Sequence, residues 1–305
     1  MDLQRGIRRA KLSRGSITLP RGFSAWYYER PAESRATAPP LVVLPGATLD
    51  MDFMGARMSG LFQRLPNRRI IIVELPHHGA NVSPNYDFSK PAESMADMAH
   101  YVEHVLQALD VKETIDLIGY SMGGGIAAHY VQDYPQRLNR LVLLAPYFYE
   151  LATDAFIKAL DSGDWSSIHG WETLAQMKQF FQHWLGYAPA DLPPEFIMRA
   201  LHALRADQYP AGYWHACLTS LHEKSHESRT LFAGSTVQLR ALKRPTLVIT
   251  ASLDAMCDCV KLERLKEAFG PDYCTVETVE CGHVFGARGT TVFQAARAPL
   301  LRFLK

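Results

Sequence analysis

The string Gly119-Tyr120-Ser121-Met122-Gly123 is the part of this sequence most directly tied to chemistry. A serine with glycine two residues to either side suits a sharp turn from strand into helix. The glycines allow the backbone to pack closely, and the serine Oγ is left accessible on the turn. The residues before it, 115–118, are largely apolar, and Ile126, Ala127 and Tyr130 after it have helical spacing, so Ser121 is expected at a helix N-terminus. There the Met122 N–H and the positive end of the helix can stabilise a developing oxyanion. A serine hydroxyl attacks well only when a base takes its proton, and the base needs a partner that fixes its tautomer. Two further side chains are therefore required.

Asp254 follows the apolar run 246–250 in the sequence Ser252-Leu253-Asp254, which places a carboxylate just past a strand. Asp258 competes for the role but suits the N-cap of the next helix better. His283, in Cys281-Gly282-His283, follows the last apolar run, and no other histidine stands after a late strand behind a glycine. The second oxyanion donor is expected after the first buried run, in Leu44-Pro45-Gly46-Ala47-Thr48, where Gly46 permits close approach and the Ala47 N–H is the donor. The expected catalytic set is Ser121, Asp254 and His283 with the Ala47 and Met122 N–H groups. It calls for no metal and no organic cofactor.

One competing pattern is His100-Tyr101-Val102-Glu103-His104, an H-x-x-E-H string of the kind found in zinc peptidases. At about 100° per residue both histidines fall opposite the apolar stripe Met98, Val102, Val105 and Leu109, so they are expected to face solvent. His77-His78-Gly79 reads as a loop-shaping pair.

The elements that position these residues follow from hydropathy. Apolar runs with little alternation at 41–44, 70–75, 115–119, 141–145, 246–250 and 274–279 indicate strands buried on both faces. Residues 16–19 and 23–29, separated by Pro20-Arg21-Gly22, read as an antiparallel hairpin at a sheet edge. Helical stripes at 95–109 and 260–269 alternate with the strands, which predicts an α/β fold with a doubly wound, mostly parallel sheet. The stretch 147–235 has helical periodicity only and is expected to be an inserted cap between core segments 1–146 and 236–305. Its aromatic residues, among them Trp165, Trp171, Phe180, Phe181, Trp184 and Trp214, either line an apolar pocket or are used up in packing.

Composition narrows the function further. Thirty-two Lys and Arg against 31 Asp and Glu give a net charge of +1, which offers no bulk attraction for nucleic acid and suits a neutral, apolar small molecule. The five cysteines are odd in number and lack C-x-x-C spacing, which argues against a disulfide framework or zinc ribbon and for a reducing, cytoplasmic setting. No apolar run approaches the roughly 18 residues of a membrane span. Arg5, Arg8, Arg9, Lys11 and Arg14 make the N-terminus a basic, solvated arm, while Leu3, Ile7 and Leu12 leave open a weak contact with a membrane surface.

Taken together, Pro45-Gly46, Glu74-Leu75-Pro76-His77-His78-Gly79, Gly119-Tyr120-Ser121-Met122-Gly123-Gly124, Ser252-Leu253-Asp254 and Gly282-His283 resemble the α/β-hydrolase superfamily across roughly residues 40–305. The cap is similar to that of monoacylglycerol lipases, carboxylesterases and carbon–carbon bond hydrolases. The resemblance implies a serine hydrolase, with a hydrophobic carboxylic ester as the leading substrate class. Carbon–carbon bond hydrolysis, perhydrolase chemistry and ligand reception remain as alternatives. Pro45-Gly46 stands where the superfamily usually has His-Gly. Ser121 departs from the aspartate nucleophile of epoxide hydrolases and dehalogenases, and Gly125 stands where the similar menaquinone-pathway lyase has arginine.

Overall fold

The computed structural model describes residues 3–19, 24–36, 38–47, 50–76, 78–81, 94–161, 174–184, 239–285 and 293–305. Eight strands form one sheet: β1 (Ser13–Thr18), β2 (Ser24–Arg30), β3 (Leu41–Leu44), β4 (Ile70–Val73), β5 (Ile115–Tyr120), β6 (Leu138–Leu144), β7 (Thr246–Ala251) and β8 (Cys274–Val279). Their spatial order is β1-β2-β4-β3-β5-β6-β7-β8. The first two strands are the antiparallel edge, β2 also runs antiparallel to β4, and every later pairing is parallel.

The unbroken apolar runs are explained by helices on both faces. Successive side chains of a strand point to opposite sides, so Leu41, Val43, Ile70, Ile72 and Ile118 enter one core. Their neighbours Val42, Ile71, Val73 and Leu117 enter the other. The first core is covered by α1 (Leu3–Arg9), α2 (Met51–Arg57), α3 (Ser59–Phe62) and the last helix (Arg297–Leu304). The second is covered by α4 (Met95–Ala108), α5 (Met122–Asp133) and two short helices after β7. Two helices of the expected cap, α6 (Asp154–Asp161) and α7 (Leu174–His183), are described, and most of the remainder of 147–235 lies outside the described residues. The short helices after β7 are α8 (Cys259–Leu262) and α9 (Arg264–Phe269), and the C-terminal helix is α10.

Strand ends differ from the expected runs by up to three residues, and two elements differ in kind. The basic N-terminus is a helix rather than a solvated arm: Leu3, Ile7, Ala10 and Leu12 are buried in the first core, and α1 packs on α2. Those apolar residues, the reason for considering a membrane contact, are thus spent on the core, while Arg5, Arg8 and Arg9 stay exposed. The stripe at 260–269 forms two short helices rather than one, with Glu263 at the junction. By contrast α4 starts as its sequence suggests, with a reciprocal capping box in which the Asp97 N–H donates to Ser94 Oγ and the Ser94 N–H to Asp97.

At the starts of the parallel strands β4 and β5, the buried Arg68 ties distant segments together. Arg68 pairs with Asp116, whose other oxygen accepts from Asn139 at 2.6 Å, and Arg68 also donates to the Leu304 carbonyl at 3.2 Å. Among the described residues no helix is long and apolar enough to cross a membrane, and Cys257, Cys259, Cys274 and Cys281 are all free thiols.

Candidate active site

Ser121 occupies the turn between β5 and α5 with φ 51° and ψ −118°. A positive φ at a residue carrying a Cβ costs of order 1–3 kcal/mol and persists only where surrounding bonds enforce it. Here the enforcement is visible. The Ser121 N–H donates to the Leu144 carbonyl at 2.9 Å, and the Ser121 carbonyl accepts from Gly124 at 2.8 Å and Tyr147 at 2.9 Å. The turn also needs its glycines for space, because a Cβ on Gly119 would lie 2.3 Å from the Gly123 carbonyl oxygen. Ser121 stands at the N-cap of α5, yet its hydroxyl makes no capping bond and is available to a partner across the sheet.

That partner is His283. Its Nε2 lies 2.9 Å from Ser121 Oγ, and its Nδ1 lies 2.6 Å from Asp254 Oδ2. All three residues are buried, so the contacts form in a medium where hydrogen bonds to charge are strong. Asp254 Oδ1 accepts from the Met256 N–H at 2.9 Å and the Cys257 N–H at 3.0 Å. The carboxylate is therefore fixed in rotation, with its second oxygen aimed at the imidazole. The competing acid takes the place assigned to it: Asp258 caps α8, accepting from Val260 at 2.9 Å and Lys261 at 3.1 Å.

The two segments expected to supply oxyanion donors also meet. A Cβ on Gly123 would fall 2.4 Å from the Pro45 carbonyl oxygen, and one on Gly46 would fall 3.1 Å from Ser121 Cβ. The Pro45-Gly46 loop thus lies directly on the elbow, with Ala47 next in chain and Met122 the first residue of α5. Of the other histidines singled out by sequence, His100 and His104 are exposed on α4, with His100 Nδ1 2.7 Å from the Tyr134 hydroxyl. The glutamate between them points inward, where Glu103 accepts from Tyr130 at 2.6 Å, so the H-x-x-E-H residues do not converge. His77 lies outside the described residues. His78 is buried and donates from Nδ1 to the Pro76 carbonyl at 2.8 Å.

The family model described as alpha/beta hydrolase fold matches residues 39–287. The chain belongs to this family. A poly(3-hydroxyalkanoate) depolymerase from Ectopseudomonas oleovorans is 23% identical over 268 residues, covering 84% of this chain and 81% of that protein. An uncharacterised Mycobacterium tuberculosis protein is 31% identical over 88 residues, and that match takes in only 24% of its length and 28% of this chain. Among solved structures, a putative lipase from Acinetobacter baumannii AYE superimposes with a TM-score of 0.75 at 19% identity, covering 98% of this chain and 92% of the lipase.

In this member of the alpha/beta hydrolase fold family, Asp254, Cys257 and His283 also present possible metal-ligand atoms within 4.8 Å of one another. The set is poorly suited to a cation. Burial, and then the charge of Asp254, push the Cys257 thiol well above its ordinary range, and the Asp254 oxygens and His283 Nδ1 are already engaged with each other and with the Met256 and Cys257 N–H groups. The Cys257 Sγ–H is directed at the Ala145 carbonyl at 3.6 Å.

Some contributors were not legible in the sequence. The Met256 and Cys257 N–H groups that hold Asp254 belong to the backbone, and no residue type announces them. Tyr120, the variable residue of the elbow, packs its ring 5.3 Å from that of His283 and donates from its hydroxyl to the His283 carbonyl at 3.3 Å. Its only sequence signal was an aromatic residue beside the serine. Of the cap aromatics, Trp184 is buried against Phe156, with ring centroids 5.0 Å apart, which is packing rather than an open wall. The side chains of Phe180 and Phe181, and all of Trp165, Trp171 and Trp214, lie outside the described residues.

Proposed function

We propose that this protein is a serine hydrolase that cleaves carboxylic esters with a hydrophobic acyl group through an acyl-enzyme on Ser121. The observation that carries the reading is the buried relay Ser121 Oγ, His283 Nε2, His283 Nδ1 and Asp254 Oδ2, with steps of 2.9 and 2.6 Å. His283 takes the hydroxyl proton as Oγ attacks the acyl carbon, then returns it to the leaving alkoxide. Water repeats the sequence in reverse roles and releases the acid. Asp254 holds Nδ1 protonated so that Nε2 offers its lone pair to Ser121. The Ala47 and Met122 N–H groups receive the oxyanion, supported by the positive end of α5.

The names of the similar proteins, a putative lipase and a poly(3-hydroxyalkanoate) depolymerase, support an apolar ester as the substrate class. The packed cluster of Tyr147, Ala152, Phe156 and Trp184 with Met256 adjoins the site, because Tyr147 bonds Ser121 and Met256 bonds Asp254, and keeps its surroundings apolar without itself forming a pocket wall. The test is labelling with a fluorophosphonate, peptide mapping, and turnover of p-nitrophenyl esters from acetate to palmitate. Ser121 is expected to carry the label, and Ser121→Ala to lose it along with about 10⁴-fold or more of the activity. Rates should rise with chain length from acetate before falling. Label on another serine would overturn the nucleophile, and a steady fall from acetate onward would overturn the hydrophobic acyl preference.

A further inference from the structure

The two N–H groups that hold Asp254 belong to consecutive peptide units. The Met256 N–H shares its unit with the Ala255 carbonyl, and the Cys257 N–H shares its unit with the Met256 carbonyl. Both N–H groups donate to Asp254 Oδ1, at 2.9 and 3.0 Å. In a trans peptide the carbonyl points away from the N–H, and no peptide bond among the described residues is cis. Whatever binds these two carbonyls therefore grips the same two units from the side opposite the carboxylate.

One residue binds both. Thr153 Oγ1 donates to the Ala255 carbonyl, and the Thr153 N–H donates to the Met256 carbonyl at 2.9 Å. Thr153 lies 102 residues before Ala255 in sequence, immediately ahead of α6 at the root of the expected cap. The two segments are stitched further around it. Ala152 and Cys257 form an isolated antiparallel bridge, and the Asp258 N–H donates to the Leu151 carbonyl at 3.0 Å. Lys261 Nζ donates to the Ala152 carbonyl at 2.9 Å and to Asp154 at 2.6 Å. Thr153 also serves its own helix, since its Oγ1 accepts from the Phe156 N–H at 3.2 Å. A capping hydroxyl needs only a lone pair for that purpose. Its proton goes to Ala255, a bond that the helix start does not require.

We infer that Thr153 is a positioning residue for the acid of the relay, fixing the two peptide units whose N–H groups aim Asp254 at His283. The inference rests on the reading of Ser121, His283 and Asp254 given above. A peptide unit whose carbonyl accepts a hydrogen bond is a stronger donor at its N–H, because both bonds polarise the same amide. Loss of the Thr153 hydroxyl weakens one of the two bonds on Oδ1 and frees the 255–256 unit to rotate. The carboxylate then loses its fixed aim at the imidazole.

The test uses the full-length protein and the variants Thr153→Val, Thr153→Ala and Thr153→Ser. Three quantities are measured: kcat and KM for a p-nitrophenyl ester, the second-order rate of Ser121 labelling by a fluorophosphonate, and stability in urea. Lys261→Met is the control, because it cuts a neighbouring stitch without removing a bond to either peptide unit. Thr153→Val and Thr153→Ala are expected to lower kcat and the labelling rate about tenfold, the worth of one hydrogen bond, with KM unchanged. Thr153→Ser keeps the donor and should restore both rates to the wild-type level, and Lys261→Met should leave both rates unchanged. Alanine adds no atoms at this half-buried position, so its variant keeps the test valid should the valine variant fail to fold. A loss of stability with unchanged rates would show that the hydroxyl serves only the start of α6, and would overturn the proposal. An equal loss of rate in Thr153→Ser or in Lys261→Met would overturn it too. A wild-type protein that is labelled but turns over no ester would overturn the ester reading alone, and the labelling rates would still decide the role of Thr153. A wild-type protein that takes no label at Ser121 would overturn the relay and this role together.

Discussion

Replacing Asp254 by asparagine has a consequence that the geometry decides in advance. Oδ1 of Asp254 accepts from two backbone donors, Met256 N–H and Cys257 N–H. An asparagine can satisfy both only with its carbonyl oxygen, which leaves its NH₂ group facing His283 Nδ1, now 2.6 Å from the carboxylate. A donor in that place requires Nδ1 to be the acceptor, so the ring proton moves to Nε2 and points at Ser121. The base then has no lone pair for the serine proton. We expect kcat for a p-nitrophenyl ester to fall about 10⁴-fold, equivalent to about 5.5 kcal/mol in the barrier. The folding cost is limited to one charged hydrogen bond, about 1.5–3 kcal/mol, since both backbone bonds persist. Urea unfolding and steady-state kinetics on the same preparation separate the two effects. A folded variant that turns over within tenfold of the wild type would refute the tautomer argument and remove Asp254 from the relay.

The neighbouring acid should behave in the opposite way. Asp258→Ala is expected to lose about 0.5–2 kcal/mol in urea unfolding, through the lost cap on α8, with kcat unchanged; a large fall in kcat at intact stability would contradict this. Glu74 tests pH linkage: burial, and then the charge of Asp50, hold its carboxyl well above the ordinary value of 4.5. The folded protein therefore retains a proton that the unfolded chain releases, and this contribution is lost as pH rises from 4.5 through the folded value. Glu74→Gln should flatten the decline in stability between pH 4.5 and 8, whereas an unchanged or steeper slope would show that Glu74 does not cause it. Gly123→Ala places a Cβ 2.4 Å from the Pro45 oxygen and should displace the loop by a fraction of an ångström to an ångström, lowering kcat about 10²-fold. Wild-type kinetics in that variant would show that the loop does not depend on this contact.

The sequence by itself determined the sheet, the elbow and the identity of the convergent side chains, because each has a local cause. Apolar runs longer than a half-buried strand permits require helices on both faces, and glycines at 119 and 123 mark a turn too tight for side chains. Asp254 and His283 were legible because both directly follow late strands, and parallel strands deliver such residues to one edge. That Asp258 caps the next helix was legible for a similar reason, since a helix start demands a cap. What only the tertiary structure decided depends on contacts between distant segments. The N-terminal basic stretch, solvated by its charge pattern, is a packed helix because Leu3 and Ile7 find α2, more than forty residues away in sequence. The carboxylate's orientation comes from two backbone N–H groups, which every residue but proline possesses and which therefore leave no mark in the sequence.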